Sequence, residues 1–187
     1  MAKQKLLLVD GSSLAFRAFF SILDLNRFKN SNGLHTNALY SFHRMFKSIL
    51  DSEKPTHVLV AWDAGKTTFR TEMYADYKGG RSKTPGEFIE QMPYFNVLLD
   101  AWGIPHYRLN QYEADDIIGT LARKGEEAGY EVVVLSGDKD LIQLADNNIT
   151  VKITTKGVTE LVEYTPEVIF EKYGLTPEQI IDMKGLM

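Results

Sequence analysis

The sequence predicts an α/β fold, an open, mostly parallel sheet with helices on both faces. Two observations carry this. Short, continuous apolar runs recur along the chain, as they do in strands buried on both faces. Segments with apolar residues at helical spacing lie between them, the alternation from which parallel sheets are built.

The first run is Leu6-Leu7-Leu8-Val9. Leu25 to His35 is polar and rich in Asn, Ser and Gly, so it reads as a loop. Asn37 to Leu50 places Ala38, Phe42, Met45, Phe46 and Ile49 on one helical face. His57 to Trp62 is the second strand, and Pro105 to Leu109 is a weaker, more polar third. Phe88 to Trp102 has helical spacing, with Pro93 expected to kink or restart it. Glu113 to Ala128 carries Ile117, Ile118, Leu121 and Ala122, and Gly129 is its expected stop. Glu131 to Leu135 is another buried strand. Beyond it, Val151, Ile153, Leu161 and Val162 are strand-like, and Thr165-Pro166 and Thr176-Pro177 each open a short helix.

At 187 residues the chain is long enough for one domain of ~150 residues with little to spare, so residues 1–187 are expected to form a single domain. Its 44% hydrophobic content supports a real core. The net charge of −4 argues against a uniformly basic nucleic-acid coat, though a local basic strip can still bind phosphates. The lack of cysteine excludes disulfides, thiolate zinc sites, iron–sulfur clusters and cysteine nucleophiles, and fits a cytoplasmic protein. No apolar stretch approaches the ~18 residues needed to span a bilayer, and with no long apolar region behind the basic start a secretory signal is not expected.

The acidic residues fall in a pattern. Asp10 and Asp63 directly follow the first two strands, and Asp138 and Asp140 follow the Val132–Leu135 strand. Glu113, Asp115 and Asp116 open the helix after the Pro105–Leu109 run. In a parallel α/β sheet the carboxyl ends of the strands meet at one crevice. Up to seven carboxylates from four segments should therefore converge. Taken singly, each is an ordinary turn or cap residue, and the helix-opening acids favour the helix dipole. Together they repel unless a cation sits among them. Oxygen-only donors favour a hard ion, Mg²⁺ or Mn²⁺. The four histidines show no zinc-ligand spacing.

Three near-matches fail. Gly65-Lys66-Thr67 resembles the end of a P-loop, but Val60 stands where the first glycine is needed. No G-x-G-x-x-G follows the first strand. Asp10 could be an aspartyl-phosphate nucleophile, but the second Asp of such enzymes is replaced here by Ser12.

Gly65 to Pro85 interleaves Lys66, Arg70, Lys78, Arg81 and Lys83 with Phe69, Tyr74 and Tyr77, and is expected to be a mobile helix or loop lying over the sheet. Cations hold phosphates and rings stack bases. A solvated amphipathic helix explains the same residues, but an acidic metal site beside them favours phosphodiester hydrolysis.

The residues Leu8-Val9-Asp10-Gly11-Ser12-Ser13-Leu14-Ala15-Phe16-Arg17-Ala18, Asp63 to Arg70, Tyr77-Lys78-Gly79-Gly80-Arg81, Tyr112 to Thr120 and Ser136 to Leu144 together carry a specific resemblance. The chain resembles, over essentially its whole length, the 5′ nuclease (5′→3′ exonuclease, flap endonuclease) domain at the N-terminus of bacterial DNA polymerase I of Gram-positive type. The resemblance implies a PIN-like nuclease core with a helical arch over the acidic edge and a two-metal site. Asp10, Asp63, Glu113 and Asp115 would surround the first ion, and Asp115, Asp138 and Asp140 the second. Asp116 would join the cluster through water. Arg70, Lys78 and Arg81 would steer the scissile phosphate from the arch, and Arg17 and Tyr77 would contact DNA.

The resemblance also implies metal-dependent hydrolysis of 5′ flaps, nicked strands and RNA primers on DNA in replication and repair. It implies a monomer with a polymerase domain in cis in full-length relatives. In the family, a stretch like Met183 to Met187 is followed by a Gly-Asp-x-Ser-Asp segment that adds ligands, and by a helix–three-turn–helix motif. The second ion's site is therefore expected to be incomplete here. The alternative expectation is a nearly inactive DNA-binding module.

Overall fold

A computed structural model describes residues 4–65, 70, 83–155 and 160–186. Among them the order is β1 (Lys5–Asp10), α1 (Gly11–Phe20), α2 (Asn37–Glu53), β2 (His57–Trp62), α3 (Gly86–Ile89), α4 (Met92–Ala101), β3 (His106–Arg108), α5 (Ala114–Glu127), β4 (Glu131–Ser136), β5 (Ile149–Thr154), β6 (Leu161–Tyr164), α6 (Pro166–Tyr173) and α7 (Pro177–Gly185). Single 3₁₀ turns cover Leu25–Phe28 and Lys139–Leu144. The strands form one sheet in the order β3-β2-β1-β4-β5-β6. All pairs are parallel except β5–β6. The α/β expectation therefore holds, with one antiparallel edge strand.

The period-2 alternation of buried strands divides the core. Leu7, Val9, Val133 and Leu135 face α1, α2, α3 and α4. Leu8, Val132 and Val134 face α5, α6 and α7. Phe42 anchors the first layer, with its ring 5.0 Å from Phe95 and stacked over Trp62 at 6.4 Å. Pro93 restarts the helix, as its missing N–H allows only in a first turn, so the Phe88–Trp102 stretch becomes α3 and α4. The break is held by Gln91, fully buried, whose Oε1 accepts from the Ala38 N–H at 3.0 Å and whose Nε2 donates to Asn37 Oδ1 at 2.9 Å. Asn37 Nδ2 in turn donates to the Phe19 carbonyl at 2.9 Å, tying α1, α2 and the α3–α4 junction into one knot.

The caps follow the expected chemistry. Thr165 and Thr176 accept from the N–H groups of Val168 and Gln179, and Gly129 takes φ 87° just beyond α5. Helix α1 was not foreseen. Asp10 caps it by accepting from the Ser13 N–H at 2.9 Å. A Cβ at Gly11 would lie 2.6 Å from Val60 Cγ1 and 3.0 Å from the Trp62 ring, so the helix can start this close to the sheet only on glycine. Gly11→Ala is expected to destabilise the protein by about 1–3 kcal/mol through overpacking, seen as a fall in urea midpoint at unchanged slope. An unchanged midpoint would mean that the helix shifts freely.

Among the described residues no helix is long and apolar enough to cross a membrane.

Candidate metal centre

The strand order reverses at β1. From β1 the sheet runs to β2 and β3 on one side and to β4, β5 and β6 on the other. The crevice at such a switch point lies beyond the carboxyl ends of the two strands flanking it, here β1 and β4. Their register pairs Val9 with Leu135, so Asp10 and Ser136 stand side by side at its floor.

Each acidic segment is fixed by backbone hydrogen bonds. Asp10 Oδ1 accepts from the Ser13 N–H at 2.9 Å and Oδ2 from the Ser136 hydroxyl at 2.7 Å. The Asp63 N–H donates to Ser12 Oγ at 3.0 Å, and Asp63 Oδ1 caps α5 by accepting from the Ala114 N–H at 2.9 Å. The Gly137 N–H donates to Ser13 Oγ at 2.9 Å, and the Asp138 N–H to Ser136 Oγ at 3.0 Å. Asp138 Oδ1 accepts from the Asp140 N–H at 2.9 Å, starting the 3₁₀ turn. Ser12, Ser13 and Ser136 thus staple the loops that carry the acids.

Electrostatics ties the segments together. Burial pushes the Asp10 carboxyl up to about 6, against the lowering effect of its Ser136 and Ser13 hydrogen bonds, with Asp63 and Asp138 raising it further. Burial pushes Asp115 up to about 7, and the charges of Asp10, Asp138, Asp63 and Glu113 add to this. Of the seven acids read from the sequence, Asp10, Asp63, Glu113 and Asp138 thus all act on a fifth, Asp115. They come from four segments.

The other two are engaged elsewhere. Asp116 holds Arg70 in a two-pronged pair, with Nη1 at 2.8 Å from Oδ2 and Nη2 at 2.7 Å from Oδ1, and accepts from the Glu113 N–H. Asp140 pairs with Lys184 of α7 at 2.7 Å. Arg17 lies along α1 beside Gly137, and its Nε is buried with no hydrogen-bond partner among the described residues. Lys66, Phe69, Tyr77, Lys78 and Arg81, together with the expected arch, lie outside the described residues.

The donor set fits a hard divalent ion in chemistry and charge, being all oxygen and carrying repulsion that a cation would relieve. Among the described residues no three of these groups already converge as ligands.

The family described as 5′-3′ exonuclease, N-terminal resolvase-like domain, matches residues 5–174. DNA polymerase I of Streptococcus pneumoniae is 60% identical over 188 residues, covering 100% of this chain and 21% of that protein. DNA polymerase I of Bacillus subtilis is 61% identical over 185 residues, covering 99% of this chain and 21% of that protein. The chain spans about a fifth of the length of these relatives. Among solved structures, T5 5′-exonuclease with divalent metal ions (zinc) bound superposes with a TM-score of 0.68 at 24% identity, covering 95% of this chain and 64% of that one. Flap endonuclease-1 from Methanococcus jannaschii gives 0.55 at 20% identity, covering 96% and 62%. At these identities the structural likeness is one of fold.

Proposed function

The chain belongs to the 5′-3′ exonuclease N-terminal domain family, and on that premise we propose that residues 1–187 are the nuclease core of a metal-dependent 5′ nuclease. It would cut 5′ flaps, nicked strands and RNA primers on DNA during replication and repair. The observation that supports this reading is the electrostatic coupling of Asp115 to Asp10, Asp138, Asp63 and Glu113, which adds to the burial that keeps it from ionising easily. In this reading the working protein is cytoplasmic and monomeric, with a polymerase domain in cis.

Asp10, Asp63, Glu113 and Asp115 would hold one Mg²⁺ or Mn²⁺ ion, and Asp115, Asp138 and Asp140 a second. Such ions lower the pKa of water and neutralise charge on a phosphodiester. The protein's own part is orientation. The serine staples hold the acid loops, and Arg70, Lys78 and Arg81 steer the scissile phosphate. Arg17 and Tyr77 would contact the strand. Attack in line on phosphorus would leave a 5′-phosphate on one product and a 3′-hydroxyl on the other.

The test is cleavage of an end-labelled 5′-flap DNA with Mg²⁺, with Mn²⁺ and with EDTA. The expected result is a discrete product that needs the ion and disappears in Asp63→Ala. DNA retention without cleavage would instead support a binding module. The Lys184–Asp140 pair, which sets a resident cation on one acid of the second site, favours that second reading.

A further inference from the structure

We infer that Ser136 is a positioning residue for the crevice, its hydroxyl setting the orientation of the Asp10 carboxylate and the place of Asp138 together. The inference rests on reading the crevice as a divalent-ion site. Ser136 ends β4 and Asp10 ends β1, the two strands that flank the switch point, and the Val9–Leu135 register sets them side by side.

The hydroxyl has one proton and two lone pairs. It accepts from the Asp138 N–H at 3.0 Å and gives its proton to Asp10 Oδ2 at 2.7 Å. Ser136 is buried, at 1% exposure. The Ser13 N–H holds Asp10 Oδ1 at 2.9 Å. One donor on each oxygen fixes the rotation of the carboxylate about its Cβ–Cγ bond. Each oxygen keeps a further lone pair for an ion.

Strand packing does not explain the residue. Four buried apolar residues, Val132 to Leu135, precede Ser136, and an aliphatic side chain would continue that run without a polar group to satisfy. The hydroxyl stands where it reaches two acids, Asp10 after β1 and Asp138 after β4. Outer partners that orient ligands in this way change metal affinity by about 10–100-fold when removed.

The experiment is calorimetric titration of the whole chain with Mn²⁺, without DNA, for wild type, Ser136→Ala and Ser136→Thr, with a melting curve for each. The expected result is that Ser136→Ala melts cooperatively but binds Mn²⁺ about 10–100-fold more weakly. Ser136→Thr, which keeps the hydroxyl, should restore binding. Ser136→Cys, a near-isosteric variant with a weak donor, carries the same test if the alanine variant does not fold, and should weaken binding. Wild-type affinity in a folded Ser136→Ala or Ser136→Cys variant would overturn the positioning role. Absence of Mn²⁺ binding by wild type would overturn the ion-site reading itself, and the inference with it.

Discussion

Asp115→Asn is expected to raise the melting temperature of the metal-free protein at pH 7.5 while lowering metal-dependent cleavage about a thousandfold. Both effects come from one carboxyl. Burial pushes it up to about 7, and the charges of Asp10, Asp138, Asp63 and Glu113 push in the same direction. Above that value Asp115 is a charge held against its surroundings. Asparagine keeps the shape and removes the charge. At about 1.4 kcal/mol per pKa unit, a rise from 3.8 to about 7 makes the relief about 4 kcal/mol. That corresponds to roughly 8–16 °C for a chain of this size. The same substitution removes the ligand expected to lie between the two ions, where charge stabilisation is worth several kcal/mol. Melting curves in EDTA and flap cleavage in Mn²⁺ read the two effects separately. A variant that is stabilised but fully active would take Asp115 out of the ion-holding set. A destabilised one would mean that the crevice carries no net repulsion.

The second large effect is on pH. In EDTA the protein should lose stability as pH rises from about 4 to about 8. The folded-state values of Asp10 and Asp115, about 6 and about 7, lie above the ordinary 3.8. Between the ordinary and the raised values the folded chain holds protons that the unfolded chain has released. Their contribution is therefore complete below pH 4 and disappears as pH climbs through 6 and 7. Because the two carboxyls repel each other, the protons leave in two successive steps over this range, and the steps belong to the pair rather than to either residue. Glu90, Asp146 and Glu167 shift the other way, held low chiefly by hydrogen bonds, and act only in more acid solution. Mn²⁺ should reverse the loss at pH 8 and do little at pH 5, where protons compete for the same oxygens. Melts at pH 5, 6.5 and 8, with EDTA and with Mn²⁺, check this. A melting temperature in EDTA that is flat or rises across that range would show that the raised values are wrong.

The sheet was legible in the sequence because its central strands are buried on both faces, so Leu6–Val9, His57–Trp62 and Glu131–Leu135 stand out as apolar runs. Helices α2 and α5 were legible for the matching reason, one apolar stripe each. Helix α1 escaped because it starts with Gly11-Ser12-Ser13, poor helix formers that read as a turn. What forms it is a tertiary fit, the Gly11 approach to Val60 and Trp62, with the Asp10 cap. The placing of acids at strand ends was legible from the order of runs, and Asp10, Asp63, Glu113 and Asp138 do act on Asp115. The engagement of Asp116 by Arg70 and of Asp140 by Lys184 was not legible. Both pairs join residues distant in sequence, and no spacing encodes them. The staples formed by Ser12, Ser13 and Ser136 were hidden for the same reason.

Residues 66–84 lie between two anchors. On one side Asp63 and Ala64 are held by Ser12, Ala114 and Tyr112. On the other, Gln91 is locked into the buried amide knot with Asn37 and Ala38. The core is thus closed off at two fixed posts, and none of the knot or staple contacts depends on what is strung between them. Doubling the length of an insert between fixed ends costs only about 0.6 kcal/mol in closure entropy. A change of length between the two posts would therefore leave the amide knot and the serine staples in place.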